Sequence, residues 1–152
     1  MVAQTSLIED FIWMQKATEF LHIQSKPFIA VMKRGQIDLI AIDFVVQPGY
    51  FIMADKGTDQ SLLYTRITAH ADHGIHVGPA RFSRPEQQKV PGLPGFTEVF
   101  RNTISVKIPV TVREDATPGL HYVEGSVFYQ AGDAMECFFP SELKFHVKLR
   151  VL

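Results

Sequence analysis

The chain has 152 residues, enough for one domain with a substantial core, and no low-complexity linker or internal repeat divides it. Fifteen Lys and Arg stand against sixteen Asp and Glu, with the signs interspersed, which leaves no basic stripe for nucleic acid and no acidic tail. No apolar run reaches the roughly 18 residues of a spanning helix, so no membrane insertion by this chain is expected. Taken in order, Leu7 to Leu21 is the one helix the pattern predicts, with Leu7, Phe11 and Ile12 along one side. Pro27 to Met32 and Ile37 to Val46 are predicted strands flanking Lys33-Arg34-Gly35-Gln36, which reads as a hairpin turn. Ile37 to Val46 is apolar on both faces, which predicts a central strand. Tyr50 to Met53, Leu62 to Ala69 and Ile75 to Val77 follow as shorter strands. Arg84 to Gly95 carries Pro85, Pro91, Gly92, Pro94 and Gly95, too many breakers for a strand interior, and is predicted to be a surface loop.

The clearest signal lies in the second half. Ile104, Val106, Ile108, Val110 and Val112 point one way and Ser105, Lys107, Thr111 and Arg113 the other, and Leu143, Phe145, Val147, Leu149 and Val151 alternate with polar residues. A period of two sends one set to the core and the other to water, the mark of half-buried antiparallel strands. His121 to Gln130, opened by Thr117-Pro118-Gly119, is a further strand. About eight short strands with Gly/Pro punctuation predict an all-β sandwich.

Cys137 is the only cysteine, so no intrachain disulfide framework exists. Three states remain open to it: an inert buried thiol, a reactive monothiol, or an intermolecular partner. Asp133 and Glu136 flank it without any Lys or Arg in the hairpin, and Phe138 and Phe139 suggest an apolar surround. Both features predict a raised thiol pKa.

The segment Val127 to Pro140, with its Tyr129-Gln130 pair leading toward Cys137, closely resembles the redox hairpin of the N-terminal periplasmic domain of the thiol:disulfide interchange protein DsbD family. Gly132 stands where that family has its first cysteine, and Cys137 matches the second. Further blocks in the same order resemble the family: Gln47 to Lys56, its Pro-Gly-aromatic-aromatic segment; Glu98 to Arg101, the strand after its cap loop; and Pro118 to Gln130. The resemblance spans roughly residues 10 to 150 and implies an immunoglobulin-like sandwich, a periplasmic location and thioredoxin-fold partners, or a thioredoxin-like domain of the same system. Met1 to Asp10 lacks a secretory pattern, which leaves a cytosolic chain or one whose signal has been removed, and the resemblance favours the second. The resemblance also implies that Tyr50 and Phe51 line the site and that Leu93 or Phe96 takes the place of the cap aromatic. Tyr129 lies beside the hairpin.

The second constellation is His70-Ala71-Asp72-His73-Gly74-Ile75-His76. Its histidines are of the right type for zinc or copper, but no matching pattern recurs elsewhere. A solvated hairpin tip is the preferred reading of His70, His73 and His76. No hydrolase motif, phosphate-binding glycine loop or cofactor fingerprint appears, and no cofactor is expected. With one cysteine the chain can form a mixed disulfide but cannot store two electrons. Three functions follow in order of expectation: a thiol:disulfide interchange domain with impaired dithiol exchange, a non-redox interaction domain, and a histidine-cluster metal module.

Overall fold

A computed structural model describes residues 20–24 and 29–152. They form twelve strands: β1 (Leu21–Ile23), β2 (Ile29–Met32), β3 (Ile37–Val46), β4 (Phe51–Met53), β5 (Arg66–Ala71), β6 (Ile75–Val77), β7 (Arg81–Phe82), β8 (Glu86–Gln88), β9 (Thr97–Phe100), β10 (Thr103–Val112), β11 (Gly119–Gly132) and β12 (Cys137–Val151). The smaller sheet has the order β1-β3-β10-β6, with β7 also on β10. The larger has the order β2-β12-β11-β4-β9-β8, with β5 also on β11. The result is an immunoglobulin-like β-sandwich, antiparallel except where β2 runs parallel to β12.

The two alternating segments are the walls of the core. Ile104, Val106, Ile108, Val110 and Val112 of β10 are all buried, and so are Phe145, Val147, Leu149 and Val151 of β12. Each such side chain taken wholly out of water contributes about 1.5–3 kcal/mol, so the period-two pattern accounts for much of the cohesion between the layers. Phe44 of β3 meets Phe145 of β12 edge-on, with centroids 5.9 Å apart, which joins the sheets through the centre. Pro109 sits in the middle of β10. Its carbonyl accepts from Gly78 N–H at 2.8 Å in the gap between β6 and β7, so the ring faces a place where no ladder bond is lost.

Several boundaries differ from the sequence expectation for identifiable reasons. The predicted helix falls almost wholly on residues 1–19, outside the described residues, and its last residue, Leu21, belongs to β1. β3 is central, between β1 and β10, as expected, but only one face is covered; Ile37 on the other is 71% exposed. Lys33 to Gln36 is a turn, with Gln36 N–H donating to Lys33 O at 3.1 Å and Gly35 at φ 82°, but it is not a hairpin. Its backbone pairs with Val112 of β10 on both sides (2.6 and 2.9 Å), so the chain passes from the larger sheet at β2 to the smaller at β3. The strand expected from Leu62 begins only at Arg66, because Leu63 N–H is taken by the Gln130 side chain and Thr65 by Met53 and Ala54. The Pro-rich stretch is not loop throughout: Glu86–Gln88, between its prolines, forms the edge strand β8 against β9.

Candidate thiol site at the β11–β12 hairpin

The tip of the hairpin is built by Asp133. Its carboxylate accepts from the backbone N–H of Met135 (2.8 Å) and Glu136 (2.9 Å), and its own N–H donates to Glu136 O at 2.9 Å. Asp is suited to this because its short side chain can replace a backbone acceptor in a tight turn. The closed tip sets Gly132 and Cys137 directly opposite each other as Cα partners, with a bulge between Gln130 and Gly132 re-aiming the strand end. Gly132 is also the partner of Phe51 on β4.

Glycine at 132 is a matter of space. Its backbone has no positive φ, but a Cβ there would lie 2.7 Å from Phe51 Cζ, 3.0 Å from Phe51 Cε2 and 3.1 Å from Glu136 O. The Phe51 ring therefore occupies the volume that a side chain at 132 would need. Phe51 in turn belongs to a small second core with Met53, Val90 and Val99, against which Leu62, Tyr64, Leu93 and Cys137 pack.

The thiol is half-buried in this cluster. Burial pushes its pKa up, and the Asp133 carboxylate pushes it the same way. Cys137 is consequently a protonated thiol at neutral pH, a poor nucleophile, in line with the hairpin composition.

The residues expected to line the site divide. Phe51 and Leu93 share the apolar cluster with Cys137. Phe96 does not: it is 68% exposed and lines, with Pro94 and with Tyr64 and Leu93 of the cluster, an adjoining hollow of about 300 Å³. Tyr50 packs on the main core instead, in an aromatic trio with Phe20 (5.0 Å) and Phe138 (6.0 Å). Tyr129 is wholly buried, where loss of water raises its hydroxyl pKa and Ser141, its cross-strand partner, hydrogen-bonds it. It supports the hairpin from within.

Two residues carry more of the site than their sequence signal suggests. Gln130 bridges the hairpin to the 60s loop, its Oε1 accepting from Leu63 N–H at 2.8 Å and its Nε2 donating to Phe138 O at 2.9 Å. Tyr64 lies over Gly57 and accepts from Asp59 N–H at 2.8 Å, which anchors that loop against the thiol cluster. Neither contact has a local signature, since each joins distant parts of the chain or depends on a loop's path.

The histidines of the second constellation do not converge. His70 faces Glu124 at 3.8 Å and His73 faces Asp115 at 3.3 Å, while Asp72 is engaged by His121 at 2.8 Å. Among the described residues no three His, Cys, Asp or Glu side chains are gathered in a way that could hold a metal ion.

Solved structures give the fold a context. The N-terminal domain of DsbD from Neisseria meningitidis, in its reduced form, aligns with a TM-score of 0.50 and 19% identity over 88% of this chain and 87% of that one. The N-terminal periplasmic domain of ScsB from Proteus mirabilis aligns with a TM-score of 0.51 and 11% identity, over 78% of this chain and 43% of that one. No family model and no curated protein matches the sequence. The class defined is thus an immunoglobulin-like sandwich, and the particular fold within it is that of the DsbD N-terminal domain.

Proposed function

We propose that this chain is a periplasmic thiol:disulfide interchange domain of the DsbD N-terminal type, which docks thioredoxin-fold partners and has lost dithiol exchange. The observation that carries the reading is the pair Gly132 and Cys137, cross-strand neighbours at the tip of a hairpin, with Cys137 packed on the same small core as Leu93, on this fold. Two cysteines in that register would lie within disulfide reach. With one, a single step is left. The Cys137 thiolate attacks a partner disulfide, one S–S bond forms, and the partner's other sulfur leaves as thiolate. Release needs a second thiol, from the partner or a small thiol in solution.

The raised pKa makes that step slow at neutral pH, which favours docking without electron transfer as the second reading. Both use the same end of the sandwich, where Met135 (84%) and Phe139 (73%) are exposed beside the hairpin. Alkylation of native Cys137 across pH, with mixed-disulfide capture by a thioredoxin-fold protein bearing one active-site cysteine, separates them. A midpoint above the ordinary thiol value together with slow but specific capture supports the monothiol. Binding that is unchanged in Cys137→Ser, without capture, favours the non-redox reading. No binding in either form overturns both.

A further inference from the structure

The end of the sandwich remote from Cys137 holds a second arrangement of ionisable groups. Two stretches cross between the sheets there. The turn between β5 and β6 runs from the larger sheet to the smaller, and residues 113–118, between β10 and β11, run back. They are seated against each other. Arg113 N–H donates to Gly74 O at 2.8 Å. Gly74, at φ 88°, lies so close that a Cβ there would be 2.7 Å from Ala116 Cα.

His121, the third residue of β11, is 5% exposed and touches both stretches. Its Nε2 is 2.7 Å from Thr117 O and its Nδ1 is 2.8 Å from Asp72 Oδ1. A carbonyl and a carboxylate oxygen are both acceptors, so each ring nitrogen must carry a proton to satisfy its contact. Only the imidazolium does so. The neutral ring turns one lone pair toward an oxygen and must give up a contact, and Asp72, on the exposed turn, is the partner free to move away.

We infer that His121 is a pH-sensitive clasp: protonated, it fastens the β5–β6 turn to the β10–β11 crossing, and deprotonated, it gives up the Asp72 contact and loosens that joint. The charged groups around it fit. From the turn comes Asp72. From the 113–118 stretch comes Asp115, held by Arg113 (3.5 Å) and by His73 of the turn (3.3 Å), a second contact across the same joint; Glu114 lies over Gly35. On β11 itself, Glu124 faces His70. On β12, Lys148 and Arg150 lie on the opposite, exposed face, and the residue that partners His121 is buried Leu149.

The Thr117 carbonyl is the largest influence raising the His121 pKa; burial opposes it, and the Asp72 hydrogen bond and charge add to it. A histidine whose pKa is raised by folding contributes stability in full below its unfolded value of about 6.5. That contribution is lost as pH rises through the folded value. The clasp is therefore closed on the acid side and opens on the alkaline side. It lies roughly 35 Å along β11 from Gly132, at about 3.3 Å per residue, so it can open without disturbing the thiol hairpin.

The test is an NMR titration of the His121 ring, with amide exchange of Ile75 and Arg113 measured relative to the β10 core amides at each pH, which cancels the intrinsic pH dependence. The expected result is a His121 midpoint above 6.5 and a loss of relative protection at Ile75 and Arg113 through the same range. His121→Gln should lower Tm by on the order of 5 °C below pH 6, with the difference vanishing at alkaline pH. Should that variant fail to fold, Asp72→Asn, a change on the exposed turn, decides: it should lower the His121 midpoint and flatten the protection profile. A midpoint at or below 6.5, a relative protection independent of pH, or an Asp72→Asn variant indistinguishable from the parent would each overturn the clasp.

Discussion

The hairpin site makes one expectation sharp enough to compute. Introducing a thiol by Gly132→Cys places a Cβ 2.7 Å from Phe51 Cζ, within a core cluster where Phe51 is 2% exposed. Overpacking of this kind costs about 1–3 kcal/mol. In the reduced state that corresponds to a fall in Tm of about 2–12 °C for a domain of this size. Oxidation works the other way. Closing a loop of six residues between cross-strand partners stabilises by about 2 kcal/mol on the chain-entropy model, so the strain and the disulfide nearly cancel in G132C alone. Phe51→Leu shortens the side chain and should release the strain. G132C/F51L should then be less destabilised than the sum of the single variants, by about 0.5–3 kcal/mol of coupling. The double variant should also gain the disulfide's stabilisation more fully. Denaturant unfolding with and without reductant, alongside a thiol count, reads all four states. If reduced G132C is as stable as the parent and the double variant is additive, Phe51 is not what excludes a side chain at 132 and the steric argument fails.

Two further outcomes bear on the thiol. Leu93→Ala should speed alkylation of native Cys137 several-fold while Phe96→Ala leaves it unchanged, because Leu93 packs in the thiol cluster and Phe96 faces solvent; equal effects would mean that the cap is misassigned. Asp133→Asn keeps an acceptor for the Met135 and Glu136 amides but removes a charge that raises the Cys137 pKa. The midpoint of alkylation should move down and the rate at neutral pH should rise. An unmoved midpoint would leave burial as the whole cause.

What could be read from the sequence was what depends on neighbours along the chain. The alternation in β10 and β12 predicts which side chains are buried, and the apolar surround of the hairpin together with Asp133 predicts the direction of the thiol pKa without coordinates; Glu136, also expected to raise it, is not among the causes. What could not be read depends on how distant segments meet. The segment Lys33 to Gln36 has turn chemistry, but whether the turn joins two strands of one sheet or carries the chain to the other is decided by its bonds to Val112. The start of β5 is set by Gln130, 67 residues away from Leu63. His121 stood in a predicted strand with nothing to distinguish it, because its partners Asp72 and Thr117 are brought to it by two crossings between sheets.

The same distinction bears on Gly132. The resemblance to the DsbD hairpin makes it the place of a cysteine, and the expectation that goes with it is that a thiol there would supply the chemistry. In the fold it is one half of a packing arrangement whose other half is the Phe51 ring. A cysteine introduced there meets that ring and the Glu136 carbonyl at close range. With a cysteine at 132, overpacking against Phe51 would offset much of what a disulfide contributes, and a smaller residue at 51 would let the pair form without that cost. Chemistry imposes a further requirement: the raised pKa of Cys137 comes from burial and from Asp133, neither of which a second cysteine removes. A dithiol placed in this setting would form a disulfide by proximity, yet it would exchange slowly with partners while burial and Asp133 hold the thiol pKa up.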